Sequence, residues 1–130
     1  MIWKKFEVEL YNSTVYVCLE KDGEKVVERI KRAGFYISER DRDLILNKNL
    51  DGVACQLFGK DEAVFLITVR SARKGSPVDM GIIAHECDHI ANFIFEYIGQ
   101  GEGVPSRYDE FHAFLIGYIH EKSLSLMWSK

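Results

Sequence analysis

Residues 76–98 read SPVDMGIIAHECDHIANFIFEYI, and this stretch decides most of what the sequence predicts. Its apolar side chains recur every three to four residues, which predicts one long helix with a single buried face. Ser76 is a plausible N-cap, Pro77 fits the first helical position, and Asp79 completes a start that resembles a capping box. The predicted apolar face consists of Ile83, Ala84, Cys87, Ile90, Ala91, Ile94 and Ile98.

The middle of this predicted helix carries His85, Glu86 and His89 in the pattern H-E-x-x-H. Residues four apart stand one turn apart on the same face, so both imidazoles can reach one metal ion at about 2.0–2.1 Å. Glu86 lies about 100° further round the helix, where it can accept a proton from water beside the metal without being a ligand. The pattern predicts a zinc site with His85 and His89 as ligands and Glu86 as general base.

A third protein ligand is expected, because catalytic zinc usually takes three and keeps one position open for water. A second helix is predicted to begin at Ser106 as N-cap, with Asp109 three residues on, and to run to about Leu126. We expect Glu110, on this helix, to be the third ligand. Its first-turn position has an alternative explanation, compensation of the helix dipole.

The face of the second helix supports that choice. Glu110, Ala113 and Gly117 lie on one face with Phe114, and the small side chains at 113 and 117 predict a close approach to the first helix. His112 lies about 200° away, so it and Glu110 cannot both serve one metal from a regular helix. His112 and Asp109 remain alternatives.

The rest of the chain predicts strands and short helices in one α+β domain spanning residues 1–130. The segment 23–33 has one apolar helical face, formed by Val26, Val27 and Ile30, and Gly34 is expected to end this helix. Neither a repeat nor a Pro/Ser-rich linker divides the chain. The predicted elements are strands over 2–10 and 14–19, a helix over 23–33, a possible short helix over 39–47, and a hairpin of strands 53–58 and 63–70.

Composition narrows the classes of function. The 130 residues are 47% hydrophobic and 28% charged with a formal net charge of −3, which argues against a nucleic-acid binder held by phosphate contacts. No apolar run approaches the ~18 residues of a membrane span, and the first residues lack the apolar core of a signal peptide. Cys18, Cys55 and Cys87 form no C-x-x-C pair. We therefore expect core cysteines and a cytoplasmic, reducing location.

The H-E-x-x-H pattern, with a glutamate on a later helix, resembles the gluzincin metallopeptidases. The E-x-x-A spacing from Glu110 to Ala113 resembles the third-ligand motif of the small ImmA/IrrE-type peptidases. The segments AHECDHIANFIFEYIG and DEFHAFLIGYI are similar to small metallopeptidases encoded by phages and bacterial mobile elements. This resemblance covers residues 82–119 well and the N-terminal 60 residues hardly at all.

The resemblance implies zinc on His85, His89 and Glu110, with Glu86 as general base. It also implies a zincin-like layout, in which a small twisted, mainly antiparallel sheet lies against the active-site helix. An edge strand lies near the cleft in that layout, and strand 63–70 is the candidate. The expected function is zinc-dependent hydrolysis of a protein or peptide bound by strand addition. Narrow specificity or a protein partner would suit so small a chain.

Two other functions stay open: a non-catalytic zinc-binding regulatory or interaction module of a phage or mobile element, and a metal-free interaction domain. Other side chains have weaker predicted roles. The candidate oxyanion donors are Arg107, Tyr108, His112, Tyr118 and His120, and the candidate partners of the zinc ligands are Asp88, Asn92, Glu96 and Asp109. Glu39–Asp43 is expected to be a solvated face, and Arg70, Arg73 and Lys74 a solubilising basic patch.

Overall fold

The computed structural model describes residues 1–59, 62–97 and 108–129, and for residues 108–110 only the backbone. Four strands and four helices alternate in pairs along the chain, which confirms the predicted α+β class. The elements are β1 (Ile2–Val8), a 3-10 turn (Glu9–Tyr11), β2 (Ser13–Leu19), α1 (Gly23–Arg32), α2 (Glu39–Leu46), β3 (Gly52–Leu57), β4 (Ala63–Val69), α3 (Pro77–Tyr97) and α4 (Tyr108–Trp128). No helix in these ranges has the length and hydropathy required to cross a bilayer.

The four strands form one mixed sheet in the order β1-β2-β4-β3. β2 and β4 run parallel, whereas β1 with β2 and β3 with β4 are antiparallel. The predicted hairpin is confirmed, with Val53 opposite Thr68 and Leu57 opposite Val64. The prediction that strand 63–70 forms an edge is wrong. β4 is central and every residue in it is buried, as its almost continuous apolar run requires. β1 and β3 are the two edge strands of the described sheet, and β3 is the edge strand of the hairpin.

Helices cover both faces of the sheet, and each face has its own hydrophobic core. On one face α1 and α2 bury Val26, Ile30 and Ile45 against the strands. On the other face α3 and α4 bury apolar side chains such as Ile90 and Ile119. This second core places α3 against β3 and β4, so the edge strand and the helix that carries the H-E-x-x-H pattern are neighbours.

The start of α3 follows the predicted cap in part. The amide of Asp79 donates to Ser76 Oγ at 3.2 Å, which confirms Ser76 as N-cap. The Asp79 carboxylate does not return to Ser76. It accepts hydrogen bonds from Arg73 Nε at 2.9 Å and Ser71 Oγ at 2.7 Å, which hold its pKa well below the ordinary value. Asp79 therefore ties α3 to the loop after β4 instead of completing a capping box.

The apolar face of α3 is confirmed with one exception. Ile83, Cys87, Ile90, Ala91 and Ile94 are fully buried. Ala84 is exposed, because it lies at the border of the buried stripe where α3 meets solvent. Ile98 lies outside the described residues.

α4 packs through a different face from the one we predicted. Leu115, Ile119 and Met127 are buried in the core, whereas Ala113, Phe114 and Gly117 are exposed. A Cβ added at Gly117 would meet nothing within 4 Å. The prediction that this small-residue face approaches α3 is therefore wrong, because the larger apolar side chains of the opposite face gain more from burial. The predicted N-cap Ser106 lies outside the described residues.

Arg70, at the end of β4, fixes the segment between α2 and β3. Its Nε donates to the Leu50 carbonyl at 2.8 Å, and Nη2 donates to the carbonyls of Asn47 at 3.2 Å and Ile45 at 3.4 Å. Nη1 donates to the carbonyl of Lys21. Arg70 thus holds the C-terminal end of α2 beside the start of β3, and it is not the solubilising side chain that the sequence suggested.

Candidate metal centre and groove

His85 and His89 project from the outer face of α3 and approach each other closely. Their Nε2 atoms lie 3.1 Å apart and the rings are perpendicular, with centroids 4.6 Å apart. Two nitrogens bound tetrahedrally to zinc at about 2.0–2.1 Å lie roughly 3.3 Å from each other. The pair therefore has the spacing that one zinc ion requires, and the same spacing also permits a hydrogen bond between two neutral rings.

Phe93 braces one of these histidines. Its ring stacks on His89 with centroids 6.3 Å apart, and it stacks on Phe65 of the central strand with centroids 6.2 Å apart. The His89 ring is thereby connected through Phe93 to the hydrophobic core. Within the described ranges, neither histidine has a hydrogen bond from Nδ1, so Asp88, Asn92 and Glu96 do not orient these rings. Asp109, the fourth predicted partner, has its side chain outside the described residues.

Glu86 lies on the side of α3 that faces β3. It is 6% exposed, and no donor in the described parts of the chain hydrogen-bonds to its carboxylate. Burial raises its pKa above the ordinary value, and the adjacent His85 and His89 oppose that shift. A carboxylate that is desolvated, unpaired and beside two imidazoles is suited to accept a proton from water.

Gly52, the first residue of β3, makes room for that carboxylate. A Cβ at this position would stand 3.1 Å from Glu86 Oε2 and 2.8 Å from Ile82 Cγ2. The edge strand and the acid therefore touch where β3 begins. Phe93, further along α3, stacks on Phe65, which is the sheet partner of Gln56. α3 thus lies alongside β3 from Gly52 towards Gln56.

A groove of about 570 Å³ follows this edge strand. One wall is α3, the other is α2, and β3 forms the floor between them. The volume is in the range of small-ligand and peptide sites. The lining residues are Ser38, Arg40, Asp41, Leu44, Val53, Ala54, Gln56, Phe58, Glu86, His89, Phe93 and Glu96.

The outer edge of β3 offers backbone hydrogen-bonding groups to this groove. Phe58 and Tyr36 exchange two hydrogen bonds across that edge, at 2.8 and 2.9 Å. Because alternate residues of a strand direct their backbone groups to opposite sides, Ala54 and Gln56 share the outer side with Phe58. In the part of the chain that the structure describes, no strand pairs with them there. The edge is therefore open from Gly52 to Gln56 and closed at Phe58.

His112 contacts α3, but beside the metal pair rather than within it. Its Nε2 lies 2.6 Å from Asn92 Oδ1 and 3.7 Å from Asp88 Oδ1, and its ring stacks on Phe95 at 5.7 Å. Asp88 and Asn92, predicted as partners of the zinc ligands, thus contact His112 instead. This contact joins the two helices.

The predicted third ligand is not tested by these contacts. Glu110 lies in the first turn of α4, but its side chain lies outside the described part of the chain, as does that of Asp109. Among the described residues, no group of three or more His, Cys, Asp or Glu side chains is placed to hold a metal ion. Glu110 as a ligand therefore stays a prediction.

The described lining of the groove contains none of the five side chains considered for oxyanion stabilisation. The Tyr118 hydroxyl donates to the Glu7 carbonyl at 3.0 Å, beside β1. His120 buries an Nε2 without a hydrogen-bond partner in the described structure. Arg107 and the Tyr108 side chain lie outside the described residues.

Sequence reasoning missed the wall that α2 supplies. Glu39–Asp43 looked like a solvated face, and most of it is exposed, yet Arg40 and Asp41 also line the groove. Ser38 Oγ caps α2 by accepting from the Asp41 amide at 3.1 Å. A serine cap ahead of Leu44 and Ile45 was the available signal that this charged run forms a packed helix.

The cysteines take no part in the site. Cys18, Cys55 and Cys87 are buried free thiols, as predicted. Burial raises the pKa of Cys18 to about 11 and that of Cys87 to about 12, so both are protonated and unreactive near neutral pH.

Comparison of the chain with protein-family models, curated protein sequences and solved structures found no match. The function must therefore be argued from the site itself.

Proposed function

We propose that this chain is a zinc-dependent hydrolase that cleaves a peptide bond in a protein or peptide. The observation that carries the proposal is the juxtaposition of His85, His89 and Glu86 with an open sheet edge. The two Nε2 atoms are 3.1 Å apart, and a buried carboxylate without a described donor lies beside them. These residues fit zinc by donor type and by spacing.

His85 and His89 would hold the ion, with Glu110 as the proposed third ligand. Zinc, when bound, lowers the pKa of water and polarises a carbonyl group. Glu86 accepts the proton of the attacking water and afterwards delivers it to the leaving amine. The burial of Glu86 favours this exchange, because a raised pKa brings the carboxylate closer to the basicity that proton transfer near neutral pH requires.

The substrate would bind as an added strand on β3. Ala54 and Gln56 present their outward backbone groups to the groove, and Glu86 adjoins the start of the same strand at Gly52. An extended peptide paired with this edge passes in front of Glu86 and His89. The Tyr36–Phe58 bridge ends the open edge, so it limits how far the peptide can pair.

One observation favours a second function, a zinc-binding module without turnover. The described lining of the groove contains none of the five side chains that the sequence suggested as donors to a developing oxyanion. In this alternative the same histidines bind zinc and the groove binds a partner segment without cleaving it.

Glu86→Gln distinguishes the two functions. The amide keeps the shape of the side chain but cannot accept the proton. We expect loss of peptide hydrolysis, measured by mass spectrometry on a peptide library, while zinc content and Tm are retained. Glu121→Gln, at an exposed position on α4, is the matched control. Absence of hydrolysis by the zinc-loaded native chain would favour the module, and undiminished hydrolysis by Glu86→Gln would overturn the mechanism.

A further inference from the structure

Besides Glu86, the groove carries one acidic side chain on each wall. Asp41 lies on the α2 wall and Glu96 on the α3 wall, and neither forms an ion pair with another described residue. Arg40 is the cation among the described lining residues. Glu86 is 6% exposed and borders the same space without a described donor, so three carboxylates and one guanidinium belong to the described lining. The groove is therefore acidic.

Apolar and aromatic side chains also line the groove. Leu44, Ala54 and Phe93 line it, and Phe58 closes its end, 38% exposed and stacked on Tyr36 at 6.0 Å. Long basic side chains place an aliphatic stem on apolar surface while the charged head reaches polar groups. Aromatic faces also attract cations. The acidic and the apolar residues of the groove thus both favour a long basic side chain.

We propose that the groove selects lysine or arginine in the bound peptide, an inference that rests on the proposed peptidase function. The stem lies along Leu44 and Phe93, and the charged head lies between Asp41 and Glu96. Phe93 stacks on Phe65, the sheet partner of Gln56, whereas Glu86 lies beside Gly52 at the start of β3. At about 3.3 Å per strand residue, the basic side chain is roughly three or four residues from the bond that is cleaved.

Peptide binding tests this selection without requiring turnover. The probe is a set of acetylated, amidated Ala/Ser nonapeptides in which one position carries Lys, Arg, Leu or Glu, and each is titrated by calorimetry against the zinc-loaded Glu86→Gln chain. We expect Lys and Arg peptides to bind about three- to tenfold more tightly than Leu peptides, and Glu peptides to bind most weakly. The preference is expected to fall at high salt.

Matched variants of the two walls locate the effect. Asp41→Asn and Glu96→Gln are each expected to weaken Lys-peptide binding about threefold and to leave Leu-peptide binding unchanged, since each removes one solvent-accessible ion pair. Arg40→Gln is expected to strengthen Lys-peptide binding by a similar factor. The Tm of each variant verifies that the fold is intact.

Two failures can be told apart. Equal binding of Lys, Leu and Glu peptides would overturn the preference for basic residues, as would Lys-peptide binding that is insensitive to Asp41→Asn and Glu96→Gln. Neither result would contradict the proposed peptidase function. Failure of every peptide to bind a folded, zinc-loaded chain would overturn both the preference and binding along β3. Hydrolysis measured on the native chain would then show whether the proposed function survives with another binding mode.

Discussion

Gly52→Ala tests the contact between the edge strand and the proposed general base. The added Cβ would stand 2.8 Å from Ile82 Cγ2 and 3.1 Å from both Cγ and Oε2 of Glu86. Carbon atoms in favourable contact are about 3.5–4.0 Å apart, so the Ile82 methyl must retreat by roughly 0.7–1.2 Å and the Glu86 side chain by a few tenths of an ångström. β3 is held by its pairing with β4, so we expect the side chains of α3 to move.

The size of the effect follows from two opposing terms. Overpacking of this kind costs about 1–3 kcal/mol. Alanine loses less conformational entropy on folding than a strand glycine does, which raises the free energy of unfolding by about 0.5–1 kcal/mol. We expect a net loss of roughly 0–2.5 kcal/mol in the free energy of unfolding. We also expect a loss of roughly tenfold in kcat, because a displacement of 1 Å at a reacting group can cost about a hundredfold.

Urea denaturation, zinc analysis and peptide hydrolysis measure these changes on one preparation. Gly81→Ala is the control, since a Cβ there meets nothing within 4 Å and the helix should gain about 0.5–1 kcal/mol. Zinc content is expected to stay unchanged in both variants. If Gly52→Ala gains stability as the control does and retains full hydrolysis, the carboxylate of Glu86 does not lie against β3 and the reasoning fails.

Three further predictions concern α3 and α4. Gly117→Ala is expected to raise the free energy of unfolding by about 0.5–1 kcal/mol, measured by urea denaturation, because its position is open and helical; a loss of stability would restore the close helix approach that the sequence suggested. Asp79→Asn is expected to lower Tm at pH 7, and the difference in Tm from the native chain should narrow as the pH falls from about 5 towards 2. Folding lowers the pKa of this carboxyl, so it stabilises the folded state above its unfolded pKa near 4 and loses that contribution on acidification. A difference in Tm that is independent of pH would contradict the role of Arg73. His112→Ala is expected to lower the free energy of unfolding by about 0.5–1.5 kcal/mol, because it removes the hydrogen bond to Asn92, and to retain zinc. Glu110→Ala is expected to lose zinc. Loss of zinc in His112→Ala and its retention in Glu110→Ala would make His112 the third ligand.

Local signals predicted the elements well because short-range rules determine them. The cap at Ser76, the stop at Gly34 and the spacing of Val26, Val27 and Ile30 depend on neighbours within a turn or two, and the structure agrees with all three. The H-E-x-x-H geometry belongs to the same class, since residues four apart on a helix meet whatever surrounds the helix.

Predictions that needed tertiary context were less successful. Strand 63–70 was expected at an edge, but pairing with both β2 and β3 depends on a parallel contact between segments far apart in sequence. The small residues of α4 predict a close approach to α3, whereas the buried face of α4 is the one that carries Leu115 and Ile119. The α2 wall went unnoticed because its position depends on carbonyl contacts made by Arg70, which no local pattern reveals.

Zinc binding by the purified 130-residue chain tests the central claim most directly. Metal analysis after dialysis against zinc, with competition by a chromophoric chelator, should give one ion per chain for the native protein and for Glu86→Gln, and none for His85→Ala or His89→Ala. A native chain that retains no zinc, or one whose zinc persists when either histidine is replaced, would contradict the account.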